Sequence, residues 1–215
     1  MTITEIWRYP VKSMAGEQLR RADLGPLGIA GDRVVHVEDA RGRVVTSRSH
    51  PRLLSHQGSI GADGGVLIDG RPWDGPVASA DVIAIAGSGA RLVRDESAAR
   101  FDVLPLLVAT DGAIAAFGHD RRRLRPNIVV GGVRGMAERE WPGRVFRAGS
   151  AVIIGVQDLR GRCIMTSFDP DTQIQDKEIT HGIYERFEGK LALNCFVIAG
   201  GAIAVGDEVT LEDAR

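Results

Sequence analysis

Gln57-Gly58-Ser59-Ile60-Gly61-Ala62-Asp63-Gly64-Gly65-Val66-Leu67-Ile68-Asp69-Gly70 is the stretch whose reading decides the fold class. Its short apolar run, Val66-Leu67-Ile68, is closed by Asp69-Gly70, a pair that accepts the positive φ angles of a tight hairpin turn. The surrounding residues 57–80 are glycine-rich. Outward from this hairpin the pattern repeats. Ile3, Ile6 and Trp7 begin a strand that ends at Tyr9-Pro10, and 11–16 reads as a loop leaving a strand end. Further strands are read at 17–24, 33–38 and 43–46, punctuated by Gly28, Gly31 and Gly42. The first ninety residues therefore read as strands and turns.

The second half changes character. An apolar segment at 103–108 leads through Thr110-Asp111 into a short helix at 112–117 with Thr110 or Asp111 as its cap. Strands are predicted at 127–130 and 151–156, an amphipathic helix at 176–187, and closing strands within 191–211 around Gly200-Gly201 and Gly206-Asp207. Many short strands and few helices favour a β-barrel over a doubly wound sheet. A boundary near residue 90 divides the chain into 1–90 and 91–215.

Composition narrows the function classes. The chain of 215 residues has a net charge of −1, without the basic footprint that nucleic-acid binding requires. Lys12, Lys177 and Lys190 are its lysines, so the cationic side chains are overwhelmingly arginine. Arginine suits bidentate grip on phosphate or carboxylate, although codon bias accounts for most of these residues. Apolar runs are too short to span a bilayer and residues 1–10 do not read as a signal peptide, so a cytoplasmic protein without membrane association is expected. Two cysteines, Cys163 and Cys195, are too few for a disulfide framework.

Cys163 stands out in Arg160-Gly161-Arg162-Cys163, at the end of a strand-like segment among cationic neighbours, the setting in which a thiol serves as a thiolate for soft metals. Free cysteine is also commonly a small buried hydrophobe, and local sequence leaves that reading open. Cys195 lies in an apolar strand and reads as core. The five histidines show no zinc-ligand spacing with each other or with the cysteines. Asp169-Pro170-Asp171-Thr172 lacks the glycine and glutamate of a calcium loop and reads as a turn. Gly87-Ser88-Gly89 lacks the third glycine of a dinucleotide loop, and Lys12-Ser13 lacks the glycines of a P-loop. Asp32-Arg33, Thr46-Ser47-Arg48 and Arg125-Pro126-Asn127 place polar groups at further strand ends, which in a barrel converge on one mouth.

Taken in order, Tyr9-Pro10-Val11-Lys12-Ser13, Gly31-Asp32-Arg33, Thr46-Ser47-Arg48-Ser49-His50-Pro51-Arg52-Leu53, Leu124-Arg125-Pro126-Asn127-Ile128-Val129, Arg162-Cys163-Ile164-Met165-Thr166 with Asp169-Pro170-Asp171-Thr172, and Val205-Gly206-Asp207-Glu208-Val209 resemble the MOSC family. The resemblance implies a mainly β fold with a few short helices: a MOSC-type β-barrel with a closely packed N-terminal β-barrel subdomain. It implies a molybdenum cofactor of the molybdopterin type held through Cys163 as metal ligand. It also implies that Lys12, Ser13, Arg33, Arg125 and Asn127 bind the pterin and its phosphate, with Thr110 and Arg48 near the cofactor. The implied activity is that of a molybdenum-dependent oxidoreductase reducing small N-hydroxylated compounds with electrons from a separate partner protein. The alternative within the family is a non-redox carrier that delivers cofactor or sulfur. Where family members commonly carry a glycine after Asp-Pro-Asp-Thr, this chain has Gln173.

Overall fold

The computed structural model describes residues 1–149 and 152–213; the first residue of the strand read at 151–156 lies outside them. Its N-terminal part contains β1 (Thr2–Arg8), β2 (Glu17–Leu19), β3 (Arg21–Gly25), β4 (Gly28–Ile29), β5 (Val35–Glu38), β6 (Val44–Val45), β7 (Gly58–Ile60), β8 (Val66–Ile68), β9 (Arg71–Pro72), α1 (Pro76–Ala86) and β10 (Arg91–Arg94). There follow β11 (Leu106–Thr110), α2 (Asp111–Phe117), β12 (Ile128–Gly131), β13 (Arg144–Ala148), β14 (Val152–Gly161), α3 (Lys177–Phe187), β15 (Lys190–Ala199), β16 (Gly201–Ala204) and β17 (Val209–Asp213).

The hairpin of β8 and β9 turns on Asp69 and Gly70, both at positive φ (50° and 75°), as the sequence requires. The strand read at 17–24 is two strands, β2 and β3, with different partners. The first ninety residues are also not all strands and turns, because α1 occupies 76–86. Pro76 sits in its first turn, where a missing amide costs nothing, and Ala78 and Val82, one helical turn apart, are buried in the cluster formed with Val34, Val35 and Val37.

An eight-stranded sheet in the order β17-β13-β14-β15-β11-β12-β1-β2 carries the main core. A shift of register between Ile3 and Glu5 breaks the alternation of β1, so that Ile3 and Ile6 both face this core with Phe146 and Ile154. The parallel neighbours β11 and β12 need a crossover, which α2 supplies, capped by the Thr110 hydroxyl accepting from Ala113 N at 3.0 Å. In α3, capped by Asp176, the spacing of Ile179, Ile183 and Phe187 buries one stripe against α2.

The expected barrel does not close among the described residues. The edge strands β17 and β2 do not pair with each other. The short β2 leads at once into β3, which takes β4 and β16 as partners in a separate three-stranded sheet, so the edge is diverted before it can reach β17. An isolated bridge from Thr2 to Glu208 is the nearest approach to closure. Among the described residues no helix is long and apolar enough to cross a membrane.

Phe146 is fully buried in the core of the large sheet. Phe146→Ala is expected to cost about 3–5 kcal/mol, read as a fall in the urea midpoint at unchanged m-value.

Candidate functional site

The site is organised beneath its surface by Asp32, whose side chain is wholly buried. Its carboxylate accepts from Tyr9 N at 2.7 Å and from Asn127 Nδ2 at 3.2 Å, and pairs with Arg33. Asn127 spends its amide on the protein: Nδ2 also donates to Trp7 O, while Oδ1 accepts from Leu107 N and Arg33 Nη1. That uses both donors and both lone pairs. The ends of β1 and β4 and the starts of β11 and β12 are thereby tied at one point.

From these ends the loops converge on a cavity lined by Lys12, Ser13, Arg33, Ser47, Arg48, Asp102, Arg125, Asn127, Arg160, Arg162 and Cys163, with Leu106, Leu107, Leu124 and Met165 among its apolar wall. Ser13, Arg33 and Arg125 all have left-handed backbones (φ 70°, 56° and 56°). Such conformations strain non-glycine residues and persist where surrounding structure dictates them, most often at ligand sites.

Six cations share the lining. The Tyr9 ring lies against two of them, with the Arg125 guanidinium 4.2 Å and the Arg33 guanidinium 5.2 Å from its centroid. Burial pulls Arg125 and Arg162 down to about 10, so both stay charged at neutral pH, and pushes the Tyr9 hydroxyl up to about 12. Asp102 is the counter-charge: Oδ1 lies 2.7 Å from Lys12 Nζ and Oδ2 lies 2.6 Å from Arg48 Nη2 and 3.9 Å from Arg160 Nη2. Burial opposes its ionisation, but Lys12, Arg48 and Arg160 outweigh that effect and hold its carboxyl below the usual carboxylate range.

Cys163 follows the end of β14, where Arg162 N donates to Gly189 O, and is partly exposed. Its carbonyl accepts from Thr166 N and Thr166 Oγ1, which fixes the turn after it. The loop beyond is clamped from the other side: Arg123 Nη2 pairs with Asp169 at 2.7 Å and Arg122 reaches both oxygens of Asp171 at 2.8 and 2.6 Å. Gln173 takes a left-handed backbone (φ 59°), the conformation a glycine would adopt there, and its amide donates to Asp171 O at 2.7 Å. The turn survives the departure from the family pattern.

Of the residues singled out by sequence, Cys163, Lys12, Ser13, Arg33, Arg48, Arg125 and Asn127 line this one cavity. Thr110 does not: it is buried at the start of α2, and its hydroxyl donates to Glu138 Oε2 at 3.1 Å. Cys195 is core, and burial pushes its thiol well above the ordinary range. Sequence reasoning missed Asp102 and gave Ser47, Arg160 and Arg162 no role of their own. The arginine-rich lining was itself a signal that a counter-charge must lie nearby. A cluster of His56, Asp69 and Asp81 lies elsewhere, with His56 Nδ1 already bonded to Asp69 at 2.7 Å.

Residues 1–100 match the MOSC N-terminal beta barrel domain and residues 111–210 match the MOSC domain. The chain belongs to the MOSC family. Mitochondrial amidoxime-reducing component 1 of Homo sapiens is 24% identical over 82% of this MOSC chain and 69% of its own length. Mitochondrial amidoxime reducing component 2 of Homo sapiens is 26% identical over 82% and 69%. The crystal structure of the YuaD protein from Bacillus subtilis superposes with a TM-score of 0.50 at 14% identity, over 100% of this chain and 98% of that one, a likeness of fold alone.

The MOSC domain is associated with molybdenum cofactor binding, and the residues of this cavity fit such a group. Two buried polar atoms on its lining residues, Ser47 Oγ and Arg162 Nε, have no partner among the described residues. Each unpaired buried donor costs about 1–3 kcal/mol, a deficit that a ligand oxygen relieves. Cations with a forked geometry suit a phosphate, and a cysteine sulfur suits a thiophilic metal.

Two outcomes follow from this geometry. Asp102→Asn is expected to be less stable than wild type above about pH 4, the range in which the wild-type carboxylate is ionised in both states. That deficit should shrink as falling pH carries Asp102 through its lowered folded value, read from urea midpoints between about pH 7 and pH 3. Gln173→Gly should stay within about 1 kcal/mol of wild type whereas Gln173→Val should lose about 1–2 kcal/mol, both measured by denaturant titration.

Proposed function

We propose that this MOSC protein holds a pterin-based molybdenum cofactor with Cys163 as the metal's sulfur ligand, and that it reduces N-hydroxylated compounds with electrons from a separate protein. The observation that carries the reading is the convergence of Cys163 with Lys12, Ser13, Arg33, Arg48 and Arg125 on one cavity. The similarity to proteins named for amidoxime reduction supports the choice of substrate class.

Each residue has a physical task. Lys12, Arg33, Arg48 and Arg125 grip the phosphate end of the cofactor, Arg33 and Arg125 by planar forks held against the Tyr9 ring. Ser47 Oγ and Arg162 Nε supply donors that have no competing partner among the described residues. Asn127 stands on the lining but acts through Asp32 and Arg33, which it positions. The bound metal supplies the two-electron and oxygen-atom chemistry, by which an N–OH group with two electrons and two protons becomes N–H and water. Asp169 and Asp171 have the part of loop anchors, since arginines already hold both.

The test is metal and pterin content of protein produced in a host that makes molybdenum cofactor, wild type beside Cys163→Ala. Near-stoichiometric molybdenum and pterin in wild type, with molybdenum lost in the variant, and reduction of an amidoxime by the wild type with a chemical electron donor are expected. Cofactor without turnover would favour the carrier reading, and absence of cofactor from the wild type would overturn the proposal.

A further inference from the structure

Asp102 is the acidic side chain on the cavity lining, and it sits where the cations meet. Its two oxygens contact Lys12 from the loop after β1 and Arg48 from the loop after β6, with Arg160 of β14 beyond at 3.9 Å. Asp102, Arg48 and Arg160 also line a second cleft, together with Asp158, Lys190 and Asn194, so the ion pairs form the wall between the inner cavity and an outer one. The segment that carries Asp102 is poorly anchored. Among the described residues the amides of Asp102, Val103 and Leu104 donate no hydrogen bond, and Val103 is half exposed. A carboxylate with cations on both oxygens, on backbone that can move without breaking a ladder, has the chemistry of an exchangeable counter-ion.

We propose that Asp102 is an internal stand-in for the ligand's phosphate: the cavity takes up a phosphate-bearing molecule by exchanging Asp102 for it at Lys12 and Arg48. The inference rests on the reading of the cavity as the holder of an anionic cofactor. Displacing Asp102 exacts the same cost from every incoming anion, so a ligand that makes many charged contacts overcomes it far more readily than a singly charged anion. Before uptake, Asp102 thereby keeps Lys12 and Arg48 paired and closed to cellular salts.

Binding of formate, orthophosphate and pyrophosphate, measured by calorimetry at fixed ionic strength on protein made without cofactor, separates exchange from simple repulsion. Asp102→Asn should bind all three roughly tenfold more tightly than wild type, as expected for the loss of two competing ion pairs. A carboxylate that stayed in place would instead repel each anion in proportion to its charge. Asp102→Glu, which keeps the acid, should behave as wild type, and Asp102→Ser replaces the asparagine variant if that chain does not fold. A gain that climbs from formate to pyrophosphate, or no gain, overturns the exchange while leaving the cofactor reading intact. Failure of pyrophosphate to bind both wild type and the variant overturns the exchange and counts against the cofactor reading as well.

Discussion

The buried carboxylate of Asp32 is the contact on which the remaining geometry depends. A charge with no exposure to water is tolerated only when its oxygens are hydrogen-bonded and a cation is close, and Tyr9 N, Asn127 Nδ2 and Arg33 meet both conditions. Because Tyr9 ends one strand, Asn127 precedes another and Arg33 leaves a turn, the carboxylate sets the relative position of three chain segments. The Tyr9 ring is then fixed as a surface on which the Arg33 and Arg125 guanidinium groups rest. Removing the acid would leave buried donors and a cation without partners, which costs more than the loss of any one bond.

The cavity above this knot is expensive in its own right. It gathers six cations, lowers two arginines toward 10 by burial, holds three non-glycine residues in left-handed conformations and leaves two buried donors unsatisfied. None of these features stabilises the fold, and an anionic, oxygen-rich ligand offsets the charge repulsion and the unpaired donors. Asp102 is the partial remedy that the chain supplies for itself.

The parts of this arrangement that are local could be read from the sequence. The turn at Asp69-Gly70, the Thr110 and Asp176 caps and the stripe Ile179, Ile183 and Phe187 each declare themselves within a few residues. Helix α1 did not, because only Ala78 and Val82 are fully buried and its apolar residues form no single stripe. The open edge of the sheet was equally hidden, since whether β2 reaches β17 depends on β3 finding β16 about 180 residues away. In the site, motif residues announced the cavity, but Asp102 has meaning only once positions 12, 48 and 160 are brought together. The family resemblance puts Thr110 near the ligand, whereas its hydroxyl is claimed by the helix it caps.

The placement of β1 between β2 and β12 bears on how the protein is made. One flank of β1 finds β2 within a few residues, but the other waits for β12; Thr4 Oγ1 reaches its partner, Val129 O, across 125 positions of chain. During synthesis Ile3 and Ile6 therefore leave the ribosome long before the core that covers them exists. From the synthesis of β1 until that of β12 the nascent chain carries an apolar strand with one bare edge, the kind of surface that chaperones recognise and that other unfinished copies can pair with.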